Sequence, residues 1–160
     1  MLNQLSRELL DMVFLSHNAP FDSSVQSIQV DRQETVCCVS KSSPLSKLRS
    51  ISPKDLSETP IVLFKDSFFQ TEEIKKSFAS ALVKPNIVVQ TNQLSTLQNL
   101  IRKNVAVGFM FRDLITHDPE LVAVPLDNPI NISVSLAWKN GACFFSAMDT
   151  FLDYVKEIKR

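Results

Sequence analysis

Residues 60–110 decide the fold: PIVLFKDSFFQTEEIKKSFASALVKPNIVVQTNQLSTLQNLIRKNVAVGFM. Three apolar runs of strand length, at 60–64, 85–90 and 105–110, alternate in it with two longer amphipathic segments. Strands that alternate with helices in this way indicate crossover units and a largely parallel sheet, which is an α/β fold. Ligands of such sheets bind beyond the carboxyl ends of the strands, where the helices begin.

The two amphipathic segments predict helices with defined ends. The first extends from an N-cap at Asp66 or Ser67 to about Leu82. The second begins at residues 91–92 and ends at Asn104, a residue type that tolerates the left-handed conformation after a helix. The side chains expected to face the core are Ile74, Phe78, Ala81 and Leu82 in the first helix, and Leu94, Leu97 and Ile101 in the second.

Weaker patterns extend this interpretation to both sides. The spacing of Leu2, Leu5 and Leu9 predicts a short helix, and the apolar run 10–16 predicts a strand buried on both faces, as in parallel sheets. Further elements are predicted as extended segments at 25–30, 34–40, 121–124 and 130–138, a short helix after Ser52-Pro53, and a terminal amphipathic helix carrying Phe144, Met148, Phe151, Val155 and Ile158.

The charge balance and the hydropathy exclude two classes of partner for this stretch of chain. Seventeen basic residues balance seventeen acidic ones among 160, so the basic excess that a nucleic-acid surface needs is absent. No apolar run approaches the roughly 20 residues of a membrane helix. We therefore expect a cytoplasmic protein that contacts neither DNA nor a membrane through this region.

The residues that carry chemistry show no recognisable catalytic or metal-binding spacing. Cys37 and Cys38 are adjacent and Cys143 is remote, which is neither a disulfide framework nor a zinc spacing. The two glycines cannot form a phosphate-binding loop. His17 and His117 have no carboxylate partner at an informative spacing, so we expect no enzyme, no metal and no cofactor.

Five segments together resemble the effector-binding (substrate-binding) region of LysR-type transcriptional regulators. They are LLDMV at 9–13, SPL at 43–45, ISPKDL with PIV at 51–62, TLQNLI with VAVGFM at 96–110, and VSLAWK at 134–139. Each is weak alone, but their order and spacing cover nearly the whole chain. The chain departs from the family pattern at Asn104 and Ala106, which replace glycines, and at Phe111, which replaces a proline.

The resemblance implies a two-lobed α/β fold like that of periplasmic binding proteins, with crossover strands. One lobe would hold residues 1–37 and 138–160, and the other residues 38–137. Effector domains of this family begin with a strand, a helix and a second strand before the residues present here, so the first lobe is expected to be incomplete and the helix-turn-helix DNA-binding domain to be absent. An incomplete lobe would leave an open strand edge, and we expect homo-oligomers through it.

The resemblance also implies an effector site between the lobes. Two strand-to-helix junctions would supply backbone N–H groups and polar side chains to a carboxylate or phosphate, although the same residues can simply cap their helices. Asp66 would repel an anion and Lys65 attract one. The candidate residues are Ser16 and His17 on one wall, Lys65, Asp66, Ser67, Phe68, Gln90, Thr91, Asn92 and Gln93 at the two junctions, and Phe109 and Met110 at the end of a strand.

The implied function is an effector-sensing domain that controls DNA binding by another domain of the same protein. The alternatives are a solute-binding protein of a transport system and a small hydrolase or transferase. The two thiols at 37 and 38 speak against the first alternative, and the missing nucleophile–base spacing against the second.

Overall fold

The structure, a computed structural model, describes residues 2–143 and 145–158. The chain divides into two compact units, one containing residues 1–32 and 132–160 and the other residues 33–131. The predicted lobe boundaries, at 37/38 and 137/138, fall a few residues later in the chain. Two strands continue from one unit into the other. Within the described part, no helix is long and apolar enough to cross a membrane.

The elements follow the predicted order with shifted ends. They are α1 (Leu2–Ser6), β1 (Met12–His17), β2 (Val25–Ser40), β3 (Pro60–Phe64), α2 (Phe69–Ser80), β4 (Asn86–Thr91), α3 (Leu94–Arg102), β5 (Val107–Phe111), β6 (Leu121–Val124), β7 (Ile130–Lys139) and α4 (Ser146–Ile158), with short 3₁₀ helices at Pro44–Lys47, Pro53–Leu56 and Arg112–Leu114. Phe144, the predicted first residue of the last helix, lies outside the described residues.

The second unit contains the predicted parallel crossover units. Strand β3 lies between β5 and β4 and is parallel to both. Strand β2 is antiparallel to β5 on one side and to β6 on the other, so the sheet is mixed and not largely parallel as expected. The two extended segments predicted at 25–30 and 34–40 form this single continuous strand.

The central strands β3 and β5 of the second unit are apolar at nearly every position and are buried on both faces. One core layer contains Cys37, Phe109 and, from α2, Ile74 and Phe78. The other contains Cys38, Val36, Val62 and Met110 with Leu97 and Ile101 of α3. Successive strand side chains point to opposite faces, which places the two adjacent cysteines in different layers.

Strand β5 and helix α3 approach each other closely at Gly108. A Cβ atom there would lie 2.7 Å from Cδ1 of Ile101 and 3.0 Å from Cδ2 of Leu97. A hydrogen in place of a side chain is therefore what allows α3 to pack on this strand.

In the first unit the strand order is β1-β7-β2, and β1 is antiparallel to β7 with Phe14 opposite Leu136. The expectation that residues 10–16 form a parallel strand buried on both faces was wrong: Phe14 is 48% exposed. Helix α1 ends at Ser6, earlier than predicted, and Glu8 adopts a positive φ of 59°. Leu5 packs in the core, but Leu9 lies outside the helix and is exposed.

The helix ends of the second unit differ from the prediction by a few residues. The N-caps are Phe68 for α2 and Gln93 for α3, without a side-chain capping bond in either case, so the proposed caps at 66–67 and 91–92 were wrong. Leu82 is 94% exposed with a φ of 57°, because α2 ends before it. Asn104 has the expected left-handed φ of 54°.

Candidate functional site

The carboxyl ends of the three parallel strands of the second unit meet at one edge, which we call the carboxyl edge. Phe64 at the end of β3 is in register with Thr91 at the end of β4. The backbone N–H of Lys65 donates to the carbonyl of Thr91 over 2.9 Å. The structure therefore brings the two predicted junction segments, 65–68 and 90–93, together.

Asp66 is held by partners on both sides. Its Oδ1 accepts from Nζ of Lys75 at 2.6 Å and from Nε2 of Gln90 at 2.7 Å. The bond from Lys75 keeps the pKa of this carboxyl below its usual value. Because Lys75 neutralises it, Asp66 repels an anion at this edge less than the sequence suggests.

The remaining junction residues are exposed, except for the partly buried Thr91, and two of them form local turns. Thr91 Oγ1 accepts from the backbone N–H of Gln93 at 3.1 Å, and Gln93 Oε1 accepts from Thr96 Oγ1 at 3.0 Å. Ser67 and Asn92 are exposed. Capping by Ser67 or Asn92, the simpler role considered for them, is not what the structure has.

An aromatic surface lies beside these polar groups. The rings of Phe64 and Phe68 stack with centroids 4.8 Å apart and planes 23° from parallel. Phe68 is 38% exposed, whereas the neighbouring Phe69 is half-buried.

Phe109 and Met110 are buried in the two core layers of the second unit. Phe109 makes an edge-to-face contact with Phe78, at 6.2 Å between ring centroids. Their side chains pack α2 and α3 onto the sheet and are not presented at its surface. A direct contact with an effector would require the core to open there.

Two polar residues at the carboxyl edge were missed by the sequence interpretation. Thr35 of β2, opposite Phe111 of β5, accepts a 3.0 Å hydrogen bond at Oγ1 from Nε2 of Gln70 in the first turn of α2. Both are buried, with 0% and 8% of their surface exposed. The available signal was that Gln70 lies four residues before Ile74, which places an amide on the apolar face of the helix.

An ion pair completes this edge and was also missed. Nε of Arg112, the residue after β5, donates to Oε2 of Glu34 at 2.7 Å. The two side chains are 41% and 32% exposed. The hydrogen bond from Arg112 lowers the pKa of Glu34, and the same bond raises the pKa of Arg112. The two residues are 78 positions apart, so no local pattern links them. The only signal in the sequence was that each lies at or near the end of a predicted strand.

The two candidate residues of the first unit lie at the end of β1. Nδ1 of His17 donates to the carbonyl of Ala19 at 2.8 Å, and Nε2 lies 2.8 Å from Oγ of Ser135. The imidazole also packs on Phe21, with ring centroids 4.4 Å apart. Ser16 is exposed beside it. His17 is thus fixed in orientation by contacts within its own unit.

The two adjacent thiols are buried. Burial raises the pKa of Cys37, and burial raises that of Cys38 to about 12, so neither thiol is a nucleophile at neutral pH. Among the residues that the structure describes, no group of three or more His, Cys, Asp or Glu side chains is arranged to hold a metal ion.

Comparison with known proteins identifies relatives across the whole chain. The LysR substrate binding domain family matches residues 1–160. The HTH-type transcriptional regulator CysB of Haemophilus influenzae is 25% identical over 118 residues, covering 72% of this chain. The chain spans only 36% of the length of that relative.

Two solved structures share the fold at low sequence identity. The regulatory domain of CcmR from Synechocystis PCC6803 in complex with 2-PG has a TM-score of 0.84 and 14% identity, covering 99% of this chain and 77% of its own. The effector binding domain of QuiR in complex with shikimate has a TM-score of 0.79 and 19% identity, covering 96% and 74%. These likenesses confirm the predicted fold class.

Proposed function

The chain belongs to the LysR substrate-binding domain family, and from this premise we propose that it is the effector-sensing domain of a LysR-type transcriptional regulator. The observation that carries the proposal is the convergence of polar side chains at the carboxyl edge, beside the first turns of α2 and α3. In α/β sheets this edge is the usual ligand site. A small carboxylate suits the N–H groups of two helix starts, and a domain of the same fold has been solved with shikimate.

The residues that would meet the effector are those exposed at this edge. The junction residues Lys65, Ser67, Phe68, Gln90 and Asn92 are all exposed there. They combine an ammonium group, a hydroxyl, an aromatic face and two amides, which is the mixture of apolar and polar groups that small-molecule sites contain. Thr91 and Gln93 shape the same turn, and Asp66 holds Gln90. Ser16 and His17 remain candidates for contacts from the first unit. The division into two lobes at the boundaries predicted above is also part of the proposal.

Regulation of DNA binding through a helix-turn-helix domain of the same protein is a further part of the proposal. Support comes from the family and from the CysB relative, whose printed name is that of a transcriptional regulator. The zero net charge gives this region itself no basic excess for DNA. The same support favours a regulator, and a cytoplasmic one, over a transport protein or an enzyme.

Self-association is a further part of the proposal. In the described residues β1 pairs with β7 along one side, and Phe14 of β1 stays half-exposed in contact with Phe151 of α4 at 6.5 Å between centroids. An apolar edge strand without a charge or a proline between residues 12 and 17 is a surface that other strands pair with. We expect a dimer by light scattering after size exclusion, and a monomer for Phe14→Lys. A monomeric unaltered protein would contradict this.

A thermal-shift screen with small carboxylates, including shikimate, tests the sensing role. A ligand at about one hundred times its Kd stabilises the native state by about 2.7 kcal/mol. Asn92→Ala, beyond the carboxyl end of β4, should reduce that shift. Asn86→Ala is the matched control, since it removes an exposed amide at the opposite end of the same strand. Conversion of a hit compound to product, or equal effects of the two variants, would refute the proposal.

A further inference from the structure

Arg112 lies at the carboxyl edge but is not among the residues proposed above to contact the effector. It follows β5 directly, so its side chain starts from the same carboxyl edge as Lys65 after β3 and Asn92 after β4. Its neighbour across the sheet is the segment of β2 that contains Glu34 and Thr35, because Thr35 is paired with Phe111. Adjacent strands lie about 4.8 Å apart, so the row from β4 through β3 and β5 to β2 is about 14 Å wide. Lys65 and Arg112 follow the adjacent strands β3 and β5, so one small molecule can contact both.

The guanidinium of Arg112 is only partly engaged. Its contact with Glu34 is made through Nε, at 2.7 Å from Oε2. A guanidinium has five N–H donors arranged in a fork that matches a carboxylate or phosphate. The side chain remains 41% exposed, so solvent and ligands reach it. Asp113 is the other acid whose charge acts on it.

Glu34 holds a carboxylate against the guanidinium of Arg112 at this edge. Its carboxylate is the same chemical group as that of a carboxylate effector, and it is held against a cation at the proposed ligand edge. The next residue, Thr35, receives the buried hydrogen bond from Gln70 in the first turn of α2. Successive side chains of a strand point to opposite faces, so Glu34 lies on the face of the sheet that α3 covers, with Val36 and Cys38, while Thr35 lies on the face of α2.

From this geometry we infer that Arg112 is the residue that selects an anionic effector, and that Glu34 is an internal competitor which such an effector displaces. The inference rests on the proposed function and names the ligand class of that site: a carboxylate or a phosphate. The competing interpretation is a plain structural clamp between β2 and β5. A clamp predicts that removal of Glu34 only weakens the fold, whereas a competitor predicts that its removal opens a site for anions.

Inorganic phosphate is a probe that needs no knowledge of the effector. The melting temperature is measured at pH 7 against potassium chloride of equal ionic strength, for the unaltered chain, Glu34→Gln, Arg112→Met and the double variant. We expect phosphate to raise the melting temperature of Glu34→Gln by about 2 °C more than that of the unaltered chain. We expect no such gain in Arg112→Met or in the double variant.

Asp118→Asn is the matched control. It removes a carboxylate from Arg102, whose Nη2 lies 2.6 Å from Oδ2 of Asp118 near the end of α3, away from the carboxyl edge. The inference is overturned if Glu34→Gln gains nothing, if its gain persists without Arg112, or if Asp118→Asn gains as much.

The ligand screen and the phosphate test fail separately. An effector found by the screen together with no phosphate gain in Glu34→Gln leaves the sensing role intact and removes the role of Arg112. A phosphate gain in Glu34→Gln with no effector found in a broad screen supports the role of Arg112 and counts against the sensing role. A neutral effector whose binding is unchanged in Arg112→Met also overturns the inference.

Discussion

The buried hydrogen bond between Thr35 and Gln70 gives a prediction whose size follows from the structure. Nε2 of Gln70 donates to Oγ1 of Thr35 at 3.0 Å, and both residues are buried. Thr35→Val keeps the shape of the side chain and removes the acceptor, which leaves a buried amide donor without this partner. A buried polar group left unpaired costs about 1–3 kcal/mol, and this is the destabilisation expected for Thr35→Val and, through the stranded hydroxyl, for Gln70→Met.

The double variant should cost much less than the sum of the two single variants. With both polar groups replaced by apolar groups of similar shape, neither remains unpaired, and such paired replacement is close to neutral. We expect a coupling free energy of about 1 kcal/mol or more between the two positions. The higher β propensity of valine offsets the cost of Thr35→Val by at most a few tenths of a kcal/mol.

Urea denaturation of the four proteins measures this cycle. A loss of 1 kcal/mol also corresponds to about 2–4 °C in melting temperature for a chain of this size. Thr96→Val is the matched control, since it removes a hydroxyl that bonds to Gln93 on the surface of α3, and we expect a change within about 0.5 kcal/mol. Additive single variants, or a Thr35→Val variant as stable as the control, would refute the buried-bond argument.

Three further predictions concern packing, pH and thiol reactivity. Gly108→Ala should destabilise the fold by about 1–3 kcal/mol in urea, because the new methyl group overlaps α3; an unchanged midpoint would mean that the helix shifts freely. The hydrogen bond from Arg102 lowers the pKa of Asp118 below 3.8. The stability that this bond adds is therefore present above that pH and is lost as the pH falls through the pKa of Asp118 in the folded protein. Asp118→Asn should flatten the curve of unfolding free energy against pH between about pH 5 and pH 2, and a curve parallel to that of the unaltered chain would contradict this. A thiol reagent should label only Cys143 in the native protein, since burial raises the pKa of Cys38 to about 12; labelling of native Cys143→Ser would contradict it.

The parallel core of the second unit was predictable because its information is local. Apolar runs of five or six residues between amphipathic segments produce crossover units by a general packing rule, and helix faces follow from the 3.6-residue period. Ile74 and Phe78 of α2 and Leu97 and Ile101 of α3 are buried as that period requires.

The antiparallel strands were not predictable in the same way. The run at 10–16 is mostly apolar, like β3, yet Phe14 is half-exposed, and β1 pairs antiparallel with β7, more than 100 residues later in the chain. Periodicity does not report which strand lies alongside, and a short apolar run looks the same in either direction.

The two strand-to-helix junctions of the candidate site were predictable from local sequence, whereas its contacts from β2 were not. The junctions after β3 and β4 are recognisable in the sequence because each is a strand followed by a helix, and parallel strands bring such junctions to one edge. Thr35 and Glu34 reach that edge from the middle of a long strand, through antiparallel pairing with β5. No local pattern marks them, and Arg112 becomes informative only when Glu34 is seen beside it.

The position of Glu34 on β2 has a consequence for sensing. Strand β2 continues without interruption from Val25 to Ser40, and the boundary between the two units falls within it, between residues 32 and 33. Glu34 is thus bonded to the carboxyl edge two residues from the point where the strand enters the first unit. An effector that displaces Glu34 from Arg112 releases one side-chain anchor of that strand, while the bond between Thr35 and Gln70 retains another. A ligand shifts a conformational equilibrium only if it binds one state more tightly than the other. Because the effector competes with Glu34 for Arg112, its affinity depends on whether this ion pair holds β2. In Glu34→Gln the strand should behave as if the exchange had already occurred, so amide hydrogen exchange at residues 31–34 should be faster than in the unaltered chain and should change less when effector is added.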